Sequence, residues 1–249
     1  MRLFLKYGAQ SHELELGEDA SLGDLVQAAE RVTEVFQREQ KILCKGRVIQ
    51  LVLTDCSLER IDWTGLGQLA GLTRLCLAGN ALERVDGLGP GSLPQLKELD
   101  LSRNRLVELP SHFAHWQKLE RMDVSDNQLR SLPPELGACQ ALVSLQADRN
   151  RLESLPAELA SATKLVELHV SGNRLTKAGV PGAIFSGCAA LQTLDIHANP
   201  LTAEDLRELP GWQEFDERRR KKHDKKIQTQ VMGSGFDEGA DTRTVRHWK

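Results

Sequence analysis

From residue 48 onward, apolar positions recur in a fixed order: two leucines three apart, a third two residues later, a polar residue three further on, then another leucine. Leu72, Leu75, Leu77, Asn80 and Leu82 make one copy, followed by Leu96/Leu99/Leu101/Asn104/Leu106 and Leu119/Met122/Val124/Asn127/Leu129. The series continues as Leu142/Leu145/Ala147/Asn150/Leu152, Leu165/Leu168/Val170/Asn173/Leu175 and Leu191/Leu194/Ile196/Asn199/Leu201. A degenerate first copy, Val48/Leu51/Leu53/Cys56/Leu58, carries Cys where the others carry Asn. Spacings from 56 to 199 are 24, 24, 23, 23, 23 and 26 residues. Alternation within each L-x-L predicts a short strand with its leucines inward, and stacking of successive copies predicts a parallel sheet. Where each strand turns, an Asn carboxamide can bond backbone groups that no strand satisfies, so Asn80, Asn104, Asn127, Asn150, Asn173 and Asn199 are expected to form a structural ladder.

The pattern is identified as the leucine-rich repeat. The expected fold class is α/β: seven repeats over residues 48–210, with parallel strands on a concave face and short helices or turns on a convex one. Leu109-Pro110, Leu132-Pro133 and Leu155-Pro156 mark convex turns, and Phe113, Leu136 and Leu159 are expected to fill a second core layer. The 26-residue unit carries three extra residues around 178–184, expected to loop out on the convex side.

A solenoid needs caps at both ends. Residues 2–6 and 13–16 alternate like the two strands of a hairpin, and 20–37 has helical apolar spacing at Leu22, Leu25, Val26, Ala29, Val32 and Phe36. Lys41-Ile42-Leu43-Cys44-Lys45-Gly46-Arg47-Val48 then reads as a strand and tight turn. This hairpin–helix–strand order resembles the first two-thirds of a ubiquitin-like domain, and the whole chain resembles plant and green-algal leucine-rich-repeat proteins with an N-terminal ubiquitin-like domain. Gly211-Trp212, Phe215–Arg220 and Phe236–Asp241 resemble that family's tail. The strand that should follow the Lys45-Gly46 turn is absent, so residues 1–47 are expected to be a partial ubiquitin-like segment serving as the N-cap. Residues 211–231 are expected to form a C-terminal cap and basic helix, with Trp212 and Phe215 closing the last repeat. Residues 232–249 are polar, Gly-rich and expected to be disordered.

Composition narrows the classes. There are 40 leucines but only 4% aromatic residues, so the core is aliphatic, and a net charge of −3 gives no general attraction to nucleic acid. No apolar run approaches the roughly 20 residues that span a bilayer, and no signal-peptide h-region is present. Five scattered cysteines without C-x-x-C fit neither a disulfide framework nor a zinc site. A reducing, cytoplasmic setting is expected, with Arg218–Lys226 as a candidate nuclear-import run whose alternative is a solvated helix paired through Asp216/Arg220 and Glu217/Lys221.

Candidate chemistry lies on the concave face, where Val52, Cys76, Asp100, Asp123, Gln146, His169 and Asp195 should point outward in register. Arg74, Arg103, Arg121 and Arg149 flank them, and Arg105, Arg151 and Arg174 follow the ladder positions. Asp126 and His197 fall nearby, so a metal or acid–base site is one reading; a polar protein-binding face is the favoured one. The arginines either neutralise neighbouring acids or act as docking anchors. Gly65-x-Gly67-x-x-Ala70 lies outside any strand–helix unit and is not read as a nucleotide loop. The expected function is therefore non-enzymatic: a monomeric interaction module without cofactor or metal, binding a protein partner on Arg74, Cys76, Asp100, Arg103, Arg121, Asp123, Gln146, Arg149, His169 and Asp195. The alternative is an adaptor in the ubiquitin–proteasome pathway acting through residues 1–47.

Overall fold

The computed structural model describes residues 2–7, 10–15, 50–55, 57–61, 70–85, 91–111 and 115–230, with 2–15 and 222–230 as backbone only. Expectations for Cys56, the loop over 65–69, Phe113, the helix over 20–37, the strand over 40–48 and the tail after 231 lie outside the described residues.

Nine strands form one sheet in the order β2-β1-β3-β4-β5-β6-β7-β8-β9. Strands β1 (Arg2–Tyr7) and β2 (Gln10–Glu15) make an antiparallel hairpin, and β1 also pairs antiparallel with β3 (Gln50–Val52), matching Leu5 to Leu51. From β3 the sheet is parallel: β4 (Arg74–Cys76), β5 (Glu98–Asp100), β6 (Arg121–Asp123), β7 (Ser144–Gln146), β8 (Glu167–His169) and β9 (Thr193–Asp195). The central residues Leu51, Leu75, Leu99, Met122, Leu145, Leu168 and Leu194 stand in register across all seven. Six of these seven are buried and Leu194 is partly buried, because a strand of period two must turn the same residue inward in every copy.

Past each strand the ladder runs on through the turn. Leu101 N donates to Asp123 O at 2.8 Å and Arg103 N to Ser125 O at 2.9 Å, and the equivalent pairs recur in the other repeats. To keep donating there, the residue before each ladder Asn takes a left-handed conformation, with φ of +50° to +70° at Gly79, Arg103, Asp126, Arg149, Gly172 and Ala198. The ladder itself reaches backward. Asn127 Nδ2 donates to Leu101 O of the preceding repeat and Val124 O of its own, and its Oδ1 accepts from Leu106 N, all at 2.9–3.0 Å. Asn80, Asn104, Asn150, Asn173 and Asn199 repeat this geometry.

On the convex side, 3-10 turns at Pro134–Ala138 and Ala157–Ser161 bury Leu136 and Leu159. Trp116 is buried there, its Nε1 donating to Ser92 O at 3.0 Å. Adjacent turns approach closely: a Cβ on Gly137 would lie 2.0 Å from the Glu158 carbonyl oxygen. Backbone cannot swing aside as a side chain can, so Gly137→Ala should cost about 1–3 kcal/mol, as overpacking does. Chemical denaturation checks this; a wild-type midpoint would show that the turns are not stacked this tightly.

The extra residues of the 26-residue unit do not loop out. They form a 3-10 turn, Lys177–Gly179, and helix α1 (Ala183–Gly187), and Val180, Ile184 and Phe185 enter the core. Three apolar side chains at helical spacing gain more by burial than a solvated bulge allows. Helix α2 (Ala203–Arg207) follows, opened by a capping box between Thr202 and Asp205. Helix α3 (Trp212–Gln230) starts against the last repeat, where Phe215 is buried and packs with Trp212 on Phe185, ring centres 5.2–5.6 Å apart. Asp216 pairs with Arg220 at 2.7 Å and Glu217 with Lys221 at 3.8 Å.

Candidate functional site

The strands present two polar columns to the concave side. The first runs Val52, Cys76, Asp100, Asp123, Gln146, His169, Asp195, each matched to the next across neighbouring strands. Cys76 departs from the expectation of a binding residue. It is only 5% exposed, its Sγ donates to Asp100 Oδ2 at 3.2 Å, and burial plus the neighbouring carboxylate push its thiol up to about 12. A short side chain in register with Val52 and Asp100 is overtopped by them. It offers neither contact area nor a thiolate nucleophile.

The carboxylates below it are tied into the turns. Asp100 Oδ1 accepts from Ser102 N at 3.0 Å and Ser102 Oγ at 2.7 Å, and Asp123 Oδ1 accepts from Ser125 N at 2.9 Å. Repeat five has Gln146 instead, and Asp148 takes over two residues later, accepting Ser171 N and Oγ at 2.7 and 2.8 Å from the turn of the next repeat. Asp148 is thus a member of the acidic face that the sequence analysis missed; the recurring Asp-x-Ser of 100–102 and 123–125 was the available signal. Burial raises the Asp123 and Asp148 carboxyls, with repulsion from Asp100 and Asp195 adding to it and the serine bonds opposing.

A carboxyl raised on folding stabilises the folded state as pH falls through its folded value, and burdens it above. Asp123→Asn keeps an oxygen for Ser125 N and removes the half-buried charge. It should therefore raise the melting temperature at pH 7 and lose that advantage near pH 4; an equal gain at both values would exclude charge as the cause.

The second column, two residues earlier, holds the arginines, and they are partnered within the chain. Glu98 lies between Arg74 at 3.4 Å and Arg121 at 3.3 Å, each from the strand on either side. In the turns, Arg103 reaches over the second repeat to Asp55 at 3.7 Å, and Arg149 pairs with Asp126 through two hydrogen bonds. Gly79 lets the first of these cross, for its Cβ would collide with the Asp55 carboxylate. His169 Nδ1 lies 4.0 Å from Asp195 Oδ2. So the sequence-selected residues share one face, but the arginines are spent on neighbouring acids, and the excess charge facing solvent is that of Asp100, Asp123, Asp148 and Asp195. Among the described residues no three His, Cys, Asp or Glu side chains cluster to hold a metal ion, so the carboxylate–imidazole convergence of the metal reading does not form there.

A shallow depression at Arg74, Glu98, Asp100, Arg121, Asp123 and Gln146 encloses about 30 Å³, against the roughly 300–1,000 Å³ of small-molecule sites. A broad, charged, nearly flat floor suits a macromolecular surface. No helix of the described residues is long and apolar enough to cross a membrane.

Comparison with known proteins agrees with this architecture. The leucine rich repeat family matches residues 94–152 and 161–180, and its two-copy form matches 70–115. An Arabidopsis thaliana protein described as LRR repeats and ubiquitin-like domain-containing is 51% identical over 63 residues, 25% of this chain and 17% of that protein. A plant intracellular Ras-group-related LRR protein of Oryza sativa subsp. japonica is 53% identical over 60 residues, 24% of this chain and 16% of the relative. The matched stretch thus spans about a sixth of either curated relative. Among solved structures, an LRR protein of Leptospira interrogans superposes with a TM-score of 0.53 at 25% identity, covering 66% of this chain and 38% of that one. The described residues between 50 and 201 form a leucine-rich-repeat solenoid, and such repeats are protein-interaction modules.

Proposed function

We propose that this leucine-rich-repeat protein binds a protein partner on the concave sheet, through Asp100, Asp123, Gln146, Asp148, His169 and Asp195. The observation that carries the reading is the concave column bearing Asp100, Asp123 and Asp195, joined from the turn by Asp148, beside arginines that are already paired. Its charge suits a basic segment, and complementary charge sets encounter rate and register more than raw affinity. The name of the rice relative, plant intracellular Ras-group-related, supports a cytoplasmic setting, and we take the working unit to be a monomer.

A photo-crosslinking amino acid at Gln146, on the concave floor, should trap a protein from extract in a salt-sensitive adduct. The same group at Gln117, exposed on the convex side, should not. Equal trapping at both, or trapping only at 117, rejects the concave assignment.

A second reading uses residues 1–47 as a ubiquitin-like adaptor, and the name of the Arabidopsis relative favours it. Against it stands the pairing of β1 with β3, which spends the inner edge of the hairpin on the first repeat. That supports an N-cap, which a solenoid requires. Deleting residues 1–47 discriminates: an insoluble remainder supports the cap, whereas a soluble remainder that loses only ubiquitin-system partners supports the adaptor.

A further inference from the structure

The arginines of the repeats fall into two sets. Those of the concave side are partnered, as described above. Arg105, Arg130, Arg151 and Arg174 are all exposed, and none makes an ion pair or side-chain hydrogen bond among the described residues. They occupy the segment after four of the ladder asparagines, Asn104, Asn127, Asn150 and Asn173, one or three residues on, flanking the buried Leu106, Leu129, Leu152 and Leu175. In an extended segment those two offsets share the solvent side.

The backbone stitches these segments edge to edge: Arg105 N donates to Leu82 O, Arg151 N to Leu129 O and Arg174 N to Leu152 O, each at 2.9 Å. Arg105, Arg151 and Arg174 therefore stand in one row, with Gln128 in the fourth repeat, and Arg130 stands two residues further along beside Glu153. At about 4.8 Å per repeat the row is roughly 15 Å long, the span of about five extended residues. Glu83 and Glu153 lie on the same edge without pairing to it. Val107, 49% exposed and beside Arg105, is the exposed large hydrophobic residue of the described chain. No aromatic side chain occupies these offsets to stack on a base.

We propose that this arginine edge is a second docking surface, distinct from the acidic floor, and that it takes an extended acidic segment of a partner protein with an apolar residue seated on Val107. Unpaired guanidiniums offer forked donors to carboxylates, and the apolar contact between them separates an acidic peptide from a bare polyanion. The two faces would then carry opposite charge preferences, which lets one solenoid hold two partners.

The probe is a fluorescein-labelled twelve-residue glutamate peptide with one central leucine, titrated against the full chain by anisotropy, with a twelve-nucleotide single-stranded DNA alongside. Summing modest exposed pairs, Arg105→Gln/Arg151→Gln/Arg174→Gln should weaken peptide binding about tenfold. Lys97→Gln/Lys118→Gln/Lys164→Gln, which removes equal charge elsewhere, should change it less than about twofold, and Val107→Ser should weaken it without altering charge. Should the triple variant melt early, Arg151→Gln alone carries the same contrast with Lys164→Gln. No peptide binding by the wild type, equal loss in both triple variants, an unaffected Val107→Ser, or tighter binding of the DNA than the peptide overturns the proposal.

Discussion

Asn127→Ala should destabilise the solenoid by about 1–3 kcal/mol, the cost of leaving a buried polar group unpaired. The side chain is 7% exposed and satisfies Leu106 N, Leu101 O and Val124 O. Alanine strands Leu106 N and takes one of two donors from Leu101 O and Val124 O, which keep Asn104 Nδ2 and Asn150 Nδ2; Leu106 N and Leu101 O belong to the preceding repeat, so the damage crosses the boundary between repeats. Asn127→Asp sharpens the test. It keeps the acceptor for Leu106 N but loses both donors and sets a carboxylate among carbonyl oxygens, so it should be no better than alanine. Urea denaturation followed by circular dichroism reads both; a midpoint within experimental error of wild type would remove the ladder from the account of stability.

Leu145→Ala is the companion loss from the apolar side, expected at about 2–5 kcal/mol for a fully buried leucine. Leu145 is 0% exposed at the centre of β7, in register with Met122 and Leu168. Repeat proteins transmit stability between nearest neighbours, so a defect in a middle repeat weakens both flanks and broadens the unfolding transition. Val107→Ala, half exposed, supplies the comparison and should move the midpoint by less than about 0.5 kcal/mol. If both substitutions act alike, position 145 is not the inward residue of its strand.

The difference between what was legible in the sequence and what was not follows from how each feature is encoded. Inward leucines and ladder asparagines were readable because their roles demand one chemistry in every copy, and the spacing repeats. The residue before each Asn escaped notice because left-handed backbone is imposed by the ladder on whatever stands there: Gly79, Arg103, Asp126, Arg149 and Ala198 share a conformation and no chemistry. Cys76 was read as outward-facing from alternation alone, which gives a direction but not the height of its neighbours. The extra residues of 173–199 resemble an excursion by length alone, whereas Val180, Ile184 and Phe185 make them part of the core.

The concave arginines show the same limit at the candidate site. Sequence placed Arg74, Arg121, Arg103 and Arg149 beside the acidic column and left open whether they neutralise or recognise. The distances to Glu98, Asp55 and Asp126 answer for neutralisation, and the recognition we propose is placed on the carboxylates and on the unpaired arginines of the other edge.

The central claim is a division of labour, with buried leucines and carboxamides holding the fold and the concave carboxylates selecting the partner. It is tested most directly by Asp100→Asn/Asp123→Asn, assayed in parallel for melting temperature and for the Gln146 photo-adduct. The amides retain the oxygens that accept from Ser102 N and Ser125 N, while two like charges vanish. The account predicts a melting temperature equal to or above wild type at pH 7, together with loss of the adduct. A protein that unfolds, or one that melts normally and forms the adduct undiminished, would contradict it.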